Sequence, residues 1–346
     1  MSIGYPETPS LRPIPPARKQ VARRFVSLQR RFPVLQLGLL VGMYIYGAAT
    51  LNGFVSWNST ELILILASIA GLSSAGQTFL ILMGGFDLSV PGFIVAGALF
   101  VTQGKDALHV SFVVALLLAV AGAGVLGAIS GQICHRFRIQ PLIVTLAMGT
   151  IAVGAMVVAL SGGAAAYVPG GSAPPWLTKF ISPGTHTLGV QFPPVTTLLI
   201  GVIIAMTVFL YRTAPGRRLL ATGANQRAAE YSLINTRRVW TAAFAFSAIA
   251  SVLVGLLVLG FAGSITLTSG DPYLFQSVVA VIVGGTVFGG PGDYLRTVIG
   301  ALFLTLVDVV LAGHGASPAA QQIFYGVAIL FALSLYGRGR RLRDRV

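Results

Sequence analysis

The chain of 346 residues is 55% hydrophobic and only 9% charged. A soluble domain carries roughly 25% charged residues, so this composition excludes an ordinary water-facing globule and points to a surface in contact with hydrocarbon. The net charge of +14 does not mark a nucleic-acid binder, because the basic residues sit in short segments between apolar runs.

In chain order, residues 1–32 form a basic, proline-containing arm bearing Arg12, Arg18, Lys19, Arg23, Arg24, Arg30 and Arg31. It is too long and polar for the n-region of a cleaved signal peptide. It is expected to lie against the anionic cytoplasmic leaflet. A membrane-spanning region is expected over 33–336, since a helix needs roughly 20 apolar residues to cross the hydrocarbon core. The predicted spans are 33–53, 62–83, 88–102, 110–133 and 141–160, then 194–211, 240–260, 273–288, 294–312 and 320–336. Ten crossings with a cytoplasmic N-terminus place Arg136 and Arg138, the six arginines from Arg212 to Arg238, and the five from Arg338 to Arg345 on one side. That agrees with the positive-inside rule and puts both termini and the 337–346 tail in the cytoplasm. The expected fold class is therefore an all-α integral membrane protein of about ten transmembrane helices. Five spans on each side of residue 190 are compatible with two inverted five-helix repeats.

The third and eighth predicted spans are short, with Gly84-Gly85 before the one and Gly284-Gly285 within the other. Such segments mark either broken helices near a transport route or tight helix packing. The long outward loop, 161–193, contains five prolines and Trp176, and suits an interfacial helix or a solvated linker.

Catalysis has little support. His109, His135, His186 and His314 are scattered, the single cysteine, Cys134, has no internal partner, and no phosphate-binding G-x-x-x-x-G-K-[ST] run occurs. No metal-ligand spacing is present either. Four carboxylates in or at the ends of apolar spans stand out: Glu61, Asp87, Asp271 and Asp308. Carboxylates at membrane depth face protein or a wet cavity. Asp308 fits a proton or sodium site, or a pore-lining or interhelix hydrogen-bonding group. Around Asp87, the run Gly84-Gly85-Phe86-Asp87-Leu88-Ser89-Val90-Pro91-Gly92 reads as a tight re-entry. Glycine permits positive φ, Asp87 or Ser89 can cap the next helix, and Pro91 suits its first turn. In the 212–238 loop, Asn225 is a good N-cap, and Ala224, Ala228, Ala229 and Ser232 share one face at helical spacing.

The re-entry run resembles the G-G-[IV]-D-L-S-V-G signature of bacterial ribose, xylose, arabinose and galactoside ABC importer permeases. Three further blocks are similar to that family's motifs: Pro141-Leu142-Ile143-Val144-Thr145-Leu146 followed by Gly162-Gly163; Gly216-Arg217 leading to Ala221-Thr222-Gly223-Ala224-Asn225 and Ala228-Ala229; and Gly284-Gly285-Thr286 with Phe288-Gly289-Gly290-Pro291-Gly292. Related permeases for branched-chain amino acids and nucleosides usually carry Asn where Asp87 stands, so by this resemblance Asp87-Leu88-Ser89 points to the sugar branch. Leu233 stands where the family usually has Gly, as does Pro91, and the Asn-Gly pair expected near 308–315 is missing.

The resemblance implies a type II-like importer permease in a bacterial inner membrane, without enzymatic activity or cofactor of its own. Its partners would be a second permease, identical or a sister, a cytoplasmic ABC ATPase carrying ATP and Mg, and a periplasmic sugar-binding protein. Gln77, Asp87, Ser89, Thr145 and Asp308 are the candidates for the sugar pathway. Gly216, Arg217, Asn225, Ala228, Ala229 and Glu230 would form the ATPase-coupling loop, and Gly84, Gly85, Gly284, Gly285, Gly289 and Gly290 the structural turns. Two other readings remain open: an ion-coupled secondary transporter resting on Asp308, and an ABC permease for a non-sugar solute such as a nucleoside.

Overall fold

In hydrocarbon, backbone N–H and C=O groups must be bonded within the protein, and helices meet that demand segment by segment. The computed structural model describes residues 33–161, 172–187 and 189–337. The basic arm 1–32, the Gly162-Gly163 pair and the tail after 337 lie outside the described residues.

The first half comprises α1 (Val34–Thr50), α2 (Trp57–Met83), α3 (Val90–Leu99), α4 (Phe112–Phe137) and α5 (Pro141–Ser161). A short α6 (Pro175–Ile181) and a hairpin of β1 (His186–Thr187) and β2 (Val190–Gln191) follow, with His186 opposite Gln191. The second half runs through α7 (Pro194–Arg212), α8 (Ala214–Ala224), α9 (Gln226–Tyr231), α10 (Thr236–Ala262), α11 (Pro272–Val283), α12 (Tyr294–Gly313) and α13 (Pro318–Gly337). Among the described residues, α2, α4, α5, α7, α10 and α12 are long and apolar enough to cross a membrane, and α1, α3 and α11 are shorter apolar helices.

Each predicted span finds a helix at its place in the chain, with two departures. The run 273–288 does not stay helical: α11 stops at Val283, and Gly285 turns the chain out at φ +91°. The run 88–102 starts later and continues further, through a π-helical turn over Phe100–Gly104 and a last turn at Lys105–Ala107. The 161–193 loop is in part ordered by α6. Leu177 and Ile181 are buried, while Trp176 is exposed and meets Phe112 edge-on at 5.4 Å.

The bundle is organised around α2, which packs against α7, α8, α10, α11 and α12. Of its most apolar stretch, 83% is buried in protein, against 17% for α4, which faces outward. Protein contact on all sides explains why α2 tolerates so many polar residues. Ser73 and Ser74 bond back to the Ala70 carbonyl at 2.8 Å each, Thr78 meets Thr297 at 3.0 Å, and Ser68 meets Thr196 at 3.2 Å. The buried Tyr294 hydroxyl donates to the Gly71 carbonyl at 2.9 Å. Helix α10 approaches α4 so closely that a Cβ on Gly127 would lie 2.5 Å from the Phe244 carbonyl oxygen. Small residues at such crossings let helices associate by backbone contact.

Candidate functional site

Helix α2 ends where Gly84 adopts φ +83°, its N–H reaching the Ile81 carbonyl at 3.0 Å and the Gly85 N–H reaching Leu80 at 2.8 Å. This left-handed glycine termination turns the chain back into the bundle. The turn from 84 to 89 is buried or half-buried along its length, so its backbone donors need protein partners. Side chains supply them. Gln77 Oε1 accepts the Asp87 N–H at 3.1 Å, Thr145 Oγ1 accepts the Leu88 N–H at 2.9 Å, and Asp87 Oδ1 accepts the Ser89 N–H at 2.8 Å. The Ser89 hydroxyl also donates to Asp87 Oδ1 rather than capping α3. Four candidates from three separate stretches of the sequence thus meet in one cluster, none more than 2% exposed. Gln77 Nε2 in this cluster has no hydrogen-bond partner among the described residues.

The second glycine block forms a matching turn after α11. Gly285 and Gly289 have φ of +91° and +61°, and a Cβ on Gly284 would lie 2.3 Å from the Arg296 carbonyl oxygen. Gly290 needs no positive φ but sits close to Val287, and Gly85 sits at ordinary contact distance from Pro141 and Trp240. The two turns touch. The Gly289 N–H donates to the Ile81 carbonyl at 2.8 Å, and the Phe86 and Phe288 rings lie 4.7 Å apart.

Asp308 stands in a different group. Its Oδ2 accepts hydrogen bonds from Gln276 Nε2 of α11 at 3.1 Å and from the Tyr325 hydroxyl of α13. One half-buried carboxylate on α12 therefore joins three helices, while Oδ1 has no partner among the described residues. Of the other carboxylates, Glu61 is fully buried, and its Oε2 accepts the Gly184 N–H at 2.8 Å, tying the outward loop to the start of α2. Asp271 heads α11 without a side-chain cap bond.

The 212–238 segment contains two short helices meeting at Asn225. Thr213 Oγ1 caps α8 by accepting the Gly216 N–H at 3.2 Å, and Arg217 Nη1 donates to the Arg212 carbonyl at 3.2 Å. Asn225 Oδ1 caps α9 by accepting the Ala228 N–H at 3.1 Å, as its sequence position predicts. The small-residue face is divided, however: Ala229 is buried, whereas Ala224, Ala228 and Ser232 are exposed. The turn after α9 draws the Ile234 N–H back to the Ala229 carbonyl and so folds the chain over that alanine. Glu230 Oε1 accepts from Gln226 Nε2 at 3.0 Å and from Thr236 Oγ1 at 2.8 Å. Those bonds, Gln226 first and Thr236 next, hold its carboxyl below the ordinary carboxylate range. Thr236 also meets His135 Nε2 of α4 at 3.0 Å. Leu233 is 94% exposed and has φ +60°.

Sequence reasoning passed over Gln276, Tyr325 and the seating of Gly223. A Cβ on Gly223 would lie 2.1 Å from the Leu82 carbonyl oxygen, so α8 abuts the last turn of α2. Only the placement of Gly223 inside a recognisable block could have drawn attention to it.

A bundle of apolar helices around buried re-entry turns, with a basic two-helix segment at one end, defines a multi-pass membrane permease. Residues 59–333 match the family described as branched-chain amino acid transport system / permease component, and the chain belongs to that family. It is 31% identical over 284 residues to the ribose import permease protein of Haemophilus influenzae, covering 81% of this chain and 85% of that one. It is 32% identical over 269 residues to the ribose import permease protein of Bacillus subtilis, covering 78% and 81%. The fructose import permease protein of Rhizobium meliloti is 27% identical over 300 residues, covering 86% and 82%. No solved structure matches the chain at a significant level.

Proposed function

We propose that this chain is the permease subunit of an ABC importer for a monosaccharide. The observation that carries this reading is similarity over about four-fifths of the chain to ribose import permeases, with Asp87-Leu88-Ser89 at the buried turn. In this reading the chain crosses a bacterial inner membrane ten times, with both termini cytoplasmic. It works with a second permease, a cytoplasmic ATPase that holds ATP and Mg, and a periplasmic sugar-binding protein. Inverted five-helix repeats find support in a recurring sequence of elements. Both α2 and α10 have 27 residues and end in a left-handed glycine, Gly84 and Gly263, and each precedes a short helix.

The contact of Gly223 with Leu82 supports a coupling role for 212–238, because it joins that segment to the turn bearing Asp87. For the sugar pathway, Asp308 is the stronger candidate, since it retains an unused acceptor oxygen beside Gln276 and Tyr325. The ion-coupled alternative is not favoured by these relatives, all of which are named as import permeases. The test is uptake by proteoliposomes of defined composition. Sugar uptake is expected only with the partner ATPase and ATP; uptake by this chain alone under a proton or sodium gradient would refute the assignment.

A further inference from the structure

A cavity of about 800 Å³ opens beside the 212–238 segment, between α7, α8 and α10. Its walls are apolar, built from Phe79, Val202, Met206, Phe209, Ala243 and Phe246. Phe79 lies between the rings of Phe209 and Phe246, at 5.3 and 4.9 Å, so the inner wall is aromatic. At the other end stand Arg218 of α8 and Arg238 of α10, both exposed. Neither guanidinium has a hydrogen-bonding or ionic partner among the described residues.

The dimensions decide what such a site would take. Arg238 and Phe246 are eight residues apart on α10, about 12 Å at 1.5 Å per residue. That is close to one leaflet of a roughly 30 Å hydrocarbon core. A wholly apolar ligand would leave both arginines unused, and a free phosphate would leave the aromatic wall uncovered. The geometry points to a site for an anionic glycerophospholipid of the cytoplasmic leaflet, with its phosphate on Arg218 and Arg238 and an acyl chain along Phe209 and Phe246. Basic pockets between transmembrane helices recognise anionic headgroups by this combination of charge and depth. The basic arm 1–32 lacks the charge complementarity to fill the same place, since it would bring like charge to the two arginines. The site rests on the cytoplasmic placement of 212–238 and is independent of the transported solute.

The test uses the full chain purified in detergent, titrated by native mass spectrometry with phosphatidylglycerol or with phosphatidylcholine of the same acyl chains. Each arginine near an anionic headgroup contributes roughly fivefold, so a preference of about thirtyfold for phosphatidylglycerol is expected. Arg218→Gln with Arg238→Gln removes the preference, and Arg218→Lys with Arg238→Lys keeps most of it. Ala242→Trp, which fills the cavity without changing charge, weakens both lipids. A circular-dichroism melt of each variant confirms folding. Equal binding of the two lipids by the unaltered chain, or a preference that survives the double glutamine change, overturns the site. So does a gain in phosphatidylglycerol binding on deleting residues 1–32, which would make the arm the occupant, or displacement of bound phosphatidylglycerol by inorganic phosphate alone.

Discussion

Replacing Asp87 separates the hydrogen-bonding duty of the re-entry turn from its charge. Asp87 Oδ1 receives the Ser89 N–H at 2.8 Å and the Ser89 hydroxyl, in a place where both residues are at most 2% exposed. In Asp87→Leu both donors lose their acceptor. The hydroxyl can rotate toward another oxygen, but the backbone N–H cannot. An unsatisfied buried donor costs roughly 1–3 kcal/mol, so a loss of about 2–4 kcal/mol is expected for the pair. Asp87→Asn keeps an acceptor oxygen in the same position. The weaker neutral hydrogen bonds are offset by relief of carboxylate burial, which leaves a change of about 1 kcal/mol or less. The assay is the unfolding midpoint of each variant in detergent, read beside ATP-driven uptake in proteoliposomes. If the leucine variant is as stable as the unaltered chain, the turn does not depend on these bonds. If asparagine is as damaging as leucine, the charge rather than the acceptor geometry matters.

Other expectations follow from the 212–238 segment. Gly223→Ala would press a methyl against the Leu82 carbonyl, where no flexible side chain can yield. A packing penalty of roughly 1–3 kcal/mol is expected, read as a lowered unfolding midpoint in detergent, and ATP-driven uptake should fall while the chain still inserts and co-purifies with its ATPase. Leu233→Gly relieves a left-handed backbone at a cost in chain entropy, so the net gain is about 0.5 kcal/mol, read as slower proteolysis at 226–236. The Glu230 carboxyl is held below its ordinary value, so its bonds to Gln226 and Thr236 are present at neutral pH and are lost only as the pH falls through that lowered value. Hydrogen exchange of the α9 amides, corrected for intrinsic rate, should stay constant from about pH 8 to about pH 5. A rise in exchange within that range would refute the assignment.

The helices were legible because hydrocarbon leaves little choice: an apolar run of sufficient length must bond its own backbone. Their ends were less so. Whether α11 stops at Val283 depends on Gly285 taking a positive φ, and glycine in a membrane helix serves close packing as readily as a turn. The cluster of Gln77, Asp87, Ser89 and Thr145 could be named residue by residue, but its assembly depends on α5 bringing Thr145 to the Leu88 N–H, which no local pattern encodes. Asp308 was visible as a charge out of place. Its partners Gln276 and Tyr325 were not, because nothing local shows that α11 and α13 bring them to α12. Within 212–238 the Asn225 cap was readable from spacing alone. The burial of Ala229 was not, since the folding back of Ile234 over it is a tertiary event.

The bond from Gly289 to Ile81, with the Phe86 ring tilted against that of Phe288, joins the two glycine turns at one place in the bundle. Helices α3 and α11 are the shortest apolar segments of the two halves; α3 begins four residues after Phe86, and α11 ends five residues before Phe288. The bond itself ties the loop after α11 to the last turn of α2, so a tilt of α11 must carry that end of α2 or break the bond. Because Gly223 abuts the Leu82 carbonyl in that same last turn, any displacement of α8 bears on the end of α2 and, through the Gly289 bond, on the turn after α11.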